Sequence, residues 1–297
     1  MAGNEQMALG NFIVESELDV LYIKNIRVEE AANEHGFLEL LFLSGKKLTP
    51  GDVIRCQGMP VRVATMDGDP VFAGICKSIT LHGGNDYTEV SLKAYTASIL
   101  TDEEKKSRTF QAEQKTLNSV LKEGIGAKAL VFTDEDIEIS EMLSQEQETD
   151  WVFGRRIANQ YQKQAFVNGK SAGCHIHIGR LPFQVKELGE AEVVSLERDF
   201  NLVREIQGNT MPKASVFEFE KTVLRICDLS LGVGYAVTYR GRQQMVVKSR
   251  IYASQGIVWN EITLANREGN FPSAAQSMKD TGRSSILTGE VLAVEGT

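Results

Sequence analysis

Apolar and polar positions alternate in short runs through the first hundred residues. FIVESELDVLYIKNIRV (12–28) and GFLELLFLSG (36–45) carry β-branched and aromatic residues on either side of the loop-like AANEHG, which predicts strand, turn, strand. GDVIRC follows, and then MDGDP and HGGND set turns between further β-branched runs as far as residue 98, predicting an antiparallel meander able to close into a small barrel. The pattern changes at TDEEKKSRTFQAEQKTLNSVLKEGIG (101–126), where Phe110, Leu117, Val120 and Leu121 can share one helical face. A helix is predicted over 116–122, stopped by Gly124 and Gly126. In ETDWVFGRRIANQY (148–161), Thr149 can cap a second helix, Asp150 favours its first turn, and Phe153, Gly154, Ile157, Ala158 and Tyr161 recur at helical spacing.

Strand patterning returns near residue 215 and repeats the first half. GYAVTY, the YRGRQ turn, QMVVKSRIYA, a turn at Gly256 and WNEITLANRE follow the sequence of events seen in GDVIRC, VFAGICKSIT and YTEVSLKAYT. The best-matched phrase sets Glu89, Val90, Ser91 and Leu92 against Glu261, Ile262, Thr263 and Leu264, as a tandem pair of related β-domains would.

Composition narrows the functional classes. The 297 residues carry a net charge of −8, with 13 acidic against 6 basic side chains over 101–150 and 9 against 11 over 201–297. No Lys/Arg run suggests sequence-specific nucleic-acid binding, and no apolar run reaches the ~18 residues of a membrane span. Cys56, Cys76, Cys174 and Cys227 lack CxxC spacing and read as reduced apolar fillers.

Candidate chemistry is sparse. In CHIHIG (174–179), His175 and His177 share one strand face while Cys174 points away, leaving them weak metal candidates without a carboxylate or second cysteine motif. LSLGVGYAV (229–237) has Gly-x-Gly but no following helix, and reads as a turn before a strand. Asp134, Glu135 and Asp136 lack calcium-loop spacing and read as a solvated loop. No nucleophile elbow, zinc-protease motif or carboxylate pair is present, so no catalytic residue, cofactor or enzyme activity is expected.

The 148–161 stretch resembles the signature of the baseplate hub family: hubs of contractile phage tails, late-control D proteins, and the N-terminal part of the valine-glycine repeat protein G of type VI secretion. The matching positions are Gln147, Glu148, Thr149, Asp150, Trp151, Phe153, Arg156, Ile157 and Ala158, and RTFQAEQKTLNSVLKE resembles the helix that follows the family's first barrel. The resemblance implies an α+β, mainly β fold with two tube-type β-barrels and a helical or α+β insertion. The implied divisions are 1–102, a middle domain over 103–212, a second barrel over 213–272, and a linker with the start of an oligonucleotide/oligosaccharide-binding-type region over 273–297. It also implies a cytoplasmically assembled homotrimer joining a hexameric tail-tube ring to a central spike or tip protein. Tape-measure and baseplate adaptor or wedge proteins are further partners of such a hub in a phage or tail-like bacteriocin. The alternatives are a hub whose cell-wall hydrolase domain lies beyond Thr297 and a free-standing carbohydrate-binding β-protein.

Overall fold

The computed structural model describes residues 6–83, 87–110, 115–139, 142–161, 163–179, 185–189, 191–198, 200, 203–204 and 219–266. The expected C-terminal region over 273–297 lies outside them. The fold is mainly β, with one large sheet, two small ones and few helices.

The first half supplies β1 (Phe12–Glu15), β2 (Val20–Ala31), β3 (Phe37–Ser44), β4 (Pro60–Thr65), β5 (Pro70–Gly83) and β6 (Thr88–Tyr95), all paired antiparallel. Alternation along β3 buries Leu38, Leu40 and Phe42 completely, each contributing roughly 1.5–3 kcal/mol by transfer from water. One stretch departs from the strand expectation: GDVIR lies in α1 (Pro50–Arg55), not in the meander. Thr49, Pro50 and Asp52 form a helix start, with Asp52 accepting from the Thr49 N–H and hydroxyl at 2.7 Å.

The middle region holds two small sheets and two helices. Strand β7 (Lys105–Phe110) pairs with β9 (Leu143–Thr149), while β8 (Leu130–Thr133) runs parallel to β11 (His175–Ile178), which also pairs with β10 (Ala165–Val167). Phe110 is therefore on a strand rather than on the predicted helix, yet it joins the same buried cluster as Leu117, Val120 and Leu121. Helix α2 (Leu117–Ile125) is capped by Thr116 and passes through Gly124 to end at Gly126, and α3 (Asp150–Gln160) packs beside it.

The second half contributes β12 (Lys186–Glu187), β13 (Glu192–Arg198), β14 (Glu220–Ile226), β15 (Ala236–Tyr239), β16 (Arg242–Ser254) and β17 (Ile257–Ala265). Strands β12 and β13 fall inside the stretch that the sequence assigns to the middle domain, but they pair with β15 and β14. Read across the sheet, the first six strands run β1-β4-β5-β6-β3-β2 and the last six run β12-β15-β16-β17-β14-β13. Chain order and sheet order thus correspond one to one. The only change of direction is at the short β12, which is parallel to β15 where β1 is antiparallel to β4.

The two halves join through β2 and β16, antiparallel from Lys248 opposite Ala31 to Tyr252 opposite Arg27. One edge of β16 is therefore shared, its N-terminal part with β15 and its C-terminal part with β2. The first-half core includes Leu229, Ile251 and Val258 from the second half, and a separate cluster around Leu224, Val237, Ile262 and Leu264 lies under the second six strands.

Candidate assembly interface

The signature residues form a brace. Thr149 accepts a hydrogen bond from the Val152 N–H at 3.2 Å and donates its hydroxyl to Asp102. Asp150, 2% exposed, receives Lys106 Nζ and an Arg108 Nη at 2.6 Å each, with Gln145 Nε2 at 3.2 Å. Its burial is tolerated because two cations and an amide satisfy it. Arg156 pairs with Glu148 at 2.9 Å, donates to the Ser144 carbonyl and lies over Phe153, which stacks on Phe110 at 5.0 Å. Ile157 and Ala158 are fully buried.

Trp151 is 3% exposed and faces His35 with ring centroids 4.4 Å apart. His35 also meets Ser98 at 2.8 Å, and its burial lowers its pKa against the opposing pull of Asp102. The turn between β2 and β3 is thereby fastened to α3. Asn33, at φ +63°, donates its N–H to the Ala165 carbonyl at 2.7 Å, its side-chain Oδ1 accepts from the Ala165 N–H at 2.9 Å, and its main-chain carbonyl accepts from Arg155 at 3.1 Å.

A buried carboxylate and a nearby lysine bring all three regions together. Glu30, on β2, is 8% exposed; burial raises its pKa, opposed by Lys170 and by the N–H groups of Gly169 and Val233. Lys170 donates to the carbonyls of Leu229 and Ser230 at 2.6 and 2.7 Å. A side chain at Gly169 would collide with the Glu30 carboxylate, its Cβ falling 2.1 Å from Oε1. The sequence reading missed this junction, although an isolated Glu amid the inward positions of β2 was its signal. It also missed Asn260, 0% exposed, which holds the carbonyls of Asp228 and Leu231 and the Ser249 hydroxyl, each at 2.9 Å.

The other expected residues are placed as follows. His175 and His177 share a face of β11; His177 stacks on Phe132 at 5.0 Å and has its pKa lowered by burial, while His175 meets Ser171 at 2.9 Å. Cys174 is buried, its thiol pushed up to about 12. Among the described residues no group of three or more His, Cys, Asp or Glu is arranged to hold a metal. Lys163, 6% exposed, grips Asp134 and Glu135, so that acidic loop is pinned as well as solvated. Gly232 and Gly234 lie in the turn before β15. Among the described residues no helix is long and apolar enough to cross a membrane.

Glu89, Val90 and Leu92 lie on β6, and Glu261, Ile262 and Leu264 on β17, the strands that correspond in sheet order. The bulges of β2, between Ile23 and Asn25, and of β13, between Val193 and Ser195, set Leu92 against Leu264 as the phrase match does. The bulges that directly follow Cys76 and Val246 set the row Val28, Leu38, Ala94, Cys76 against Leu196, Thr222, Leu264, Val246, two residues away. An even displacement keeps the same residues on the buried face, which is why the phrase match still looked convincing.

Unpaired edges are the remaining feature. The outer edge of β13 pairs with no strand among the described residues, and every residue of β13 is exposed, including Val193, Val194 and Leu196. Among the described residues, the Ser78–Gly83 part of β5 pairs only with β6.

No family model and no curated protein matches the chain. Solved structures do. A component of the Escherichia coli type VI secretion system, c3393, described as structurally similar to the T4 tail proteins gp27 and gp5, gives a TM-score of 0.66 at 12% identity over 88% of this chain and 79% of its own. A 43 kDa tail protein of prophage MuSo2 from Shewanella oneidensis gives 0.64 at 11% identity, covering 89% and 99%. A tail protein from Neisseria meningitidis gives 0.62 at 10% identity with the same coverages. The fold is thus one found in phage tail and type VI secretion proteins.

Proposed function

We propose that this chain is the structural, non-enzymatic central hub of a contractile tail or related injection particle. The observation that carries the proposal is the doubled six-strand unit, laid side by side in one continuous sheet. A chain holding two like units presents six in a threefold ring, which seats a hexameric tube ring on one side and a threefold spike or tip on the other. The units fall over 12–95 and 186–265, with the helical middle region between them, so the second unit begins earlier than residue 213. The signature around Asp150 acts as a brace that fixes the first unit to the middle region. Burial of Trp151 removes one of the two tryptophans that a carbohydrate platform would use.

Light scattering tests the reading. A ring of three copies gives about three times the 32.8 kDa chain mass and binds a preassembled hexameric tube ring in co-sedimentation. A monomer at all concentrations, without tube binding, overturns it.

A further inference from the structure

In the turn that follows β14, the main-chain carbonyls of Asp228, Leu229, Ser230 and Leu231 all accept hydrogen bonds from side-chain nitrogens. Asn260 Nδ2 donates to the first and the last at 2.9 Å each, and Lys170 Nζ donates to the middle two at 2.6 and 2.7 Å. The Ser249 hydroxyl, donating to Asn260 Oδ1 at 2.9 Å, turns that amide so that its nitrogen faces the carbonyls. On the other side of the turn the Ser230 N–H and hydroxyl donate to Asp228 Oδ1 at 2.9 and 2.6 Å, and Lys186 bridges the same carboxylate. The Leu229 and Ser230 oxygens thus converge on one positive nitrogen, as carbonyl oxygens do around a bound cation.

The ammonium reaches this turn from the middle region. Lys170 lies between β10 and β11, where its N–H donates to Asn168 Oδ1 at 3.1 Å and the preceding carbonyl, that of Gly169, accepts from the Ala73 N–H of β5 at 2.6 Å. Its backbone is thereby pinned to the first half while its side chain ends in the second. An ammonium is costly to withdraw from water unless other oxygens replace its hydration. Here the two carbonyls do so, and the field of Glu30, Asp228 and Asp69 favours the cation, against the opposing charge of Lys186. The space is left by a glycine: a Cβ at Gly232 would lie 3.1 Å from Glu30 Oε2, 3.4 Å from Lys170 Cε and 3.7 Å from its Nζ.

We infer that the Asp228–Leu231 turn is a carbonyl cradle for a cation of the ammonium class, filled in this chain by its own Lys170, and that this tethered cation fastens the second half to the middle region. The same turn forms part of the wall of a cavity of about 1070 Å³, with Asp69–Val71 of the β4–β5 hairpin, Lys186–Gly189 and Trp259 among the other lining residues. Lys170 is therefore a positioning residue for that cavity as well as for the junction. The cradle is a property of the single chain, whether or not three copies form a ring.

Chemical rescue tests the assignment in the full chain. Lys170→Ala leaves the Leu229 and Ser230 carbonyls without their donor and opens room for a free ammonium ion, whereas Lys170→Met removes the charge but keeps a stem in the space. Urea midpoints are measured at pH 7 in ammonium chloride and in tetramethylammonium chloride at equal concentration, the second cation matching the charge without any N–H, and each difference is taken relative to the wild type. Lys170→Ala should lose stability in tetramethylammonium and recover most of the loss in ammonium. Its midpoint should rise with ammonium concentration as for a ligand that binds only the folded chain. Lys170→Met should lose stability in both salts alike. Where Lys170→Ala does not fold in tetramethylammonium, the yield of folded chain on refolding in each salt gives the same comparison. Equal midpoints or yields of Lys170→Ala in the two salts, wild-type stability in that variant, or the same ammonium effect in Lys170→Met would each overturn the inference.

Discussion

His35 is a residue whose environment predicts a pH dependence. It lies between Trp151, Ser98 and Asp102, and burial holds its pKa below the ordinary 6.5, with Arg155 acting in the same direction and Asp102 against it. Between the depressed folded value and 6.5, the unfolded chain binds the proton more readily than the folded one. Stability therefore rises with pH through that window and falls as pH drops through it. Urea midpoints measured from pH 7.5 down to 4.5 should show a decline below 6.5 that His35→Gln reduces relative to the wild type. An unchanged slope in the variant means that His35 does not lock the β2–β3 turn to the signature helix in its neutral form. The sequence marked Trp151 and its neighbours but not His35, because its contacts are brought together only by the tertiary fold.

Helices α2 and α3 meet through a glycine. A Cβ at Gly124 would sit 2.8 Å from Phe153 Cε1, and Phe153 is fully buried against Phe110 with no room to withdraw. Alanine favours a helix by about 1 kcal/mol over glycine, while overpacking costs about 1–3 kcal/mol, so the clash decides the sign. Gly124→Ala should lower unfolding free energy by about 1 kcal/mol in urea titrations, and Phe153→Leu in the same chain should abolish or reverse the further loss caused by that alanine. Additive losses in the double variant mean that the contact is not the cause. Gly124 was read as a helix stop because spacing alone does not reveal a neighbouring ring. Similar limits explain the other differences: GDVIR has strand-like residues but a capping start, and β13 has exposed apolar residues without inward and outward contrast. The elements with strong alternation or capping, β3, β6, β17, α2 and α3, were legible because one face of each is buried.

At the scale of the molecule, the β2–β16 joint makes the halves share a core. Ile251 is 2% exposed and belongs to the first-half cluster although it lies on a second-half strand. Ile251→Ala should cost about 2–5 kcal/mol. If the halves are one cooperative unit, chains retaining only Trp259 or only Trp151 should unfold at the same urea midpoint, and Ile251→Ala should move both midpoints together. Separate midpoints contradict that unity. The joint also has a kinetic consequence. Because β2 and β16 belong to one polypeptide, their encounter is governed by the effective concentration set by the chain between them, not by the amount of protein in solution. Dilution that separates one copy from another leaves each pair of six-strand units together.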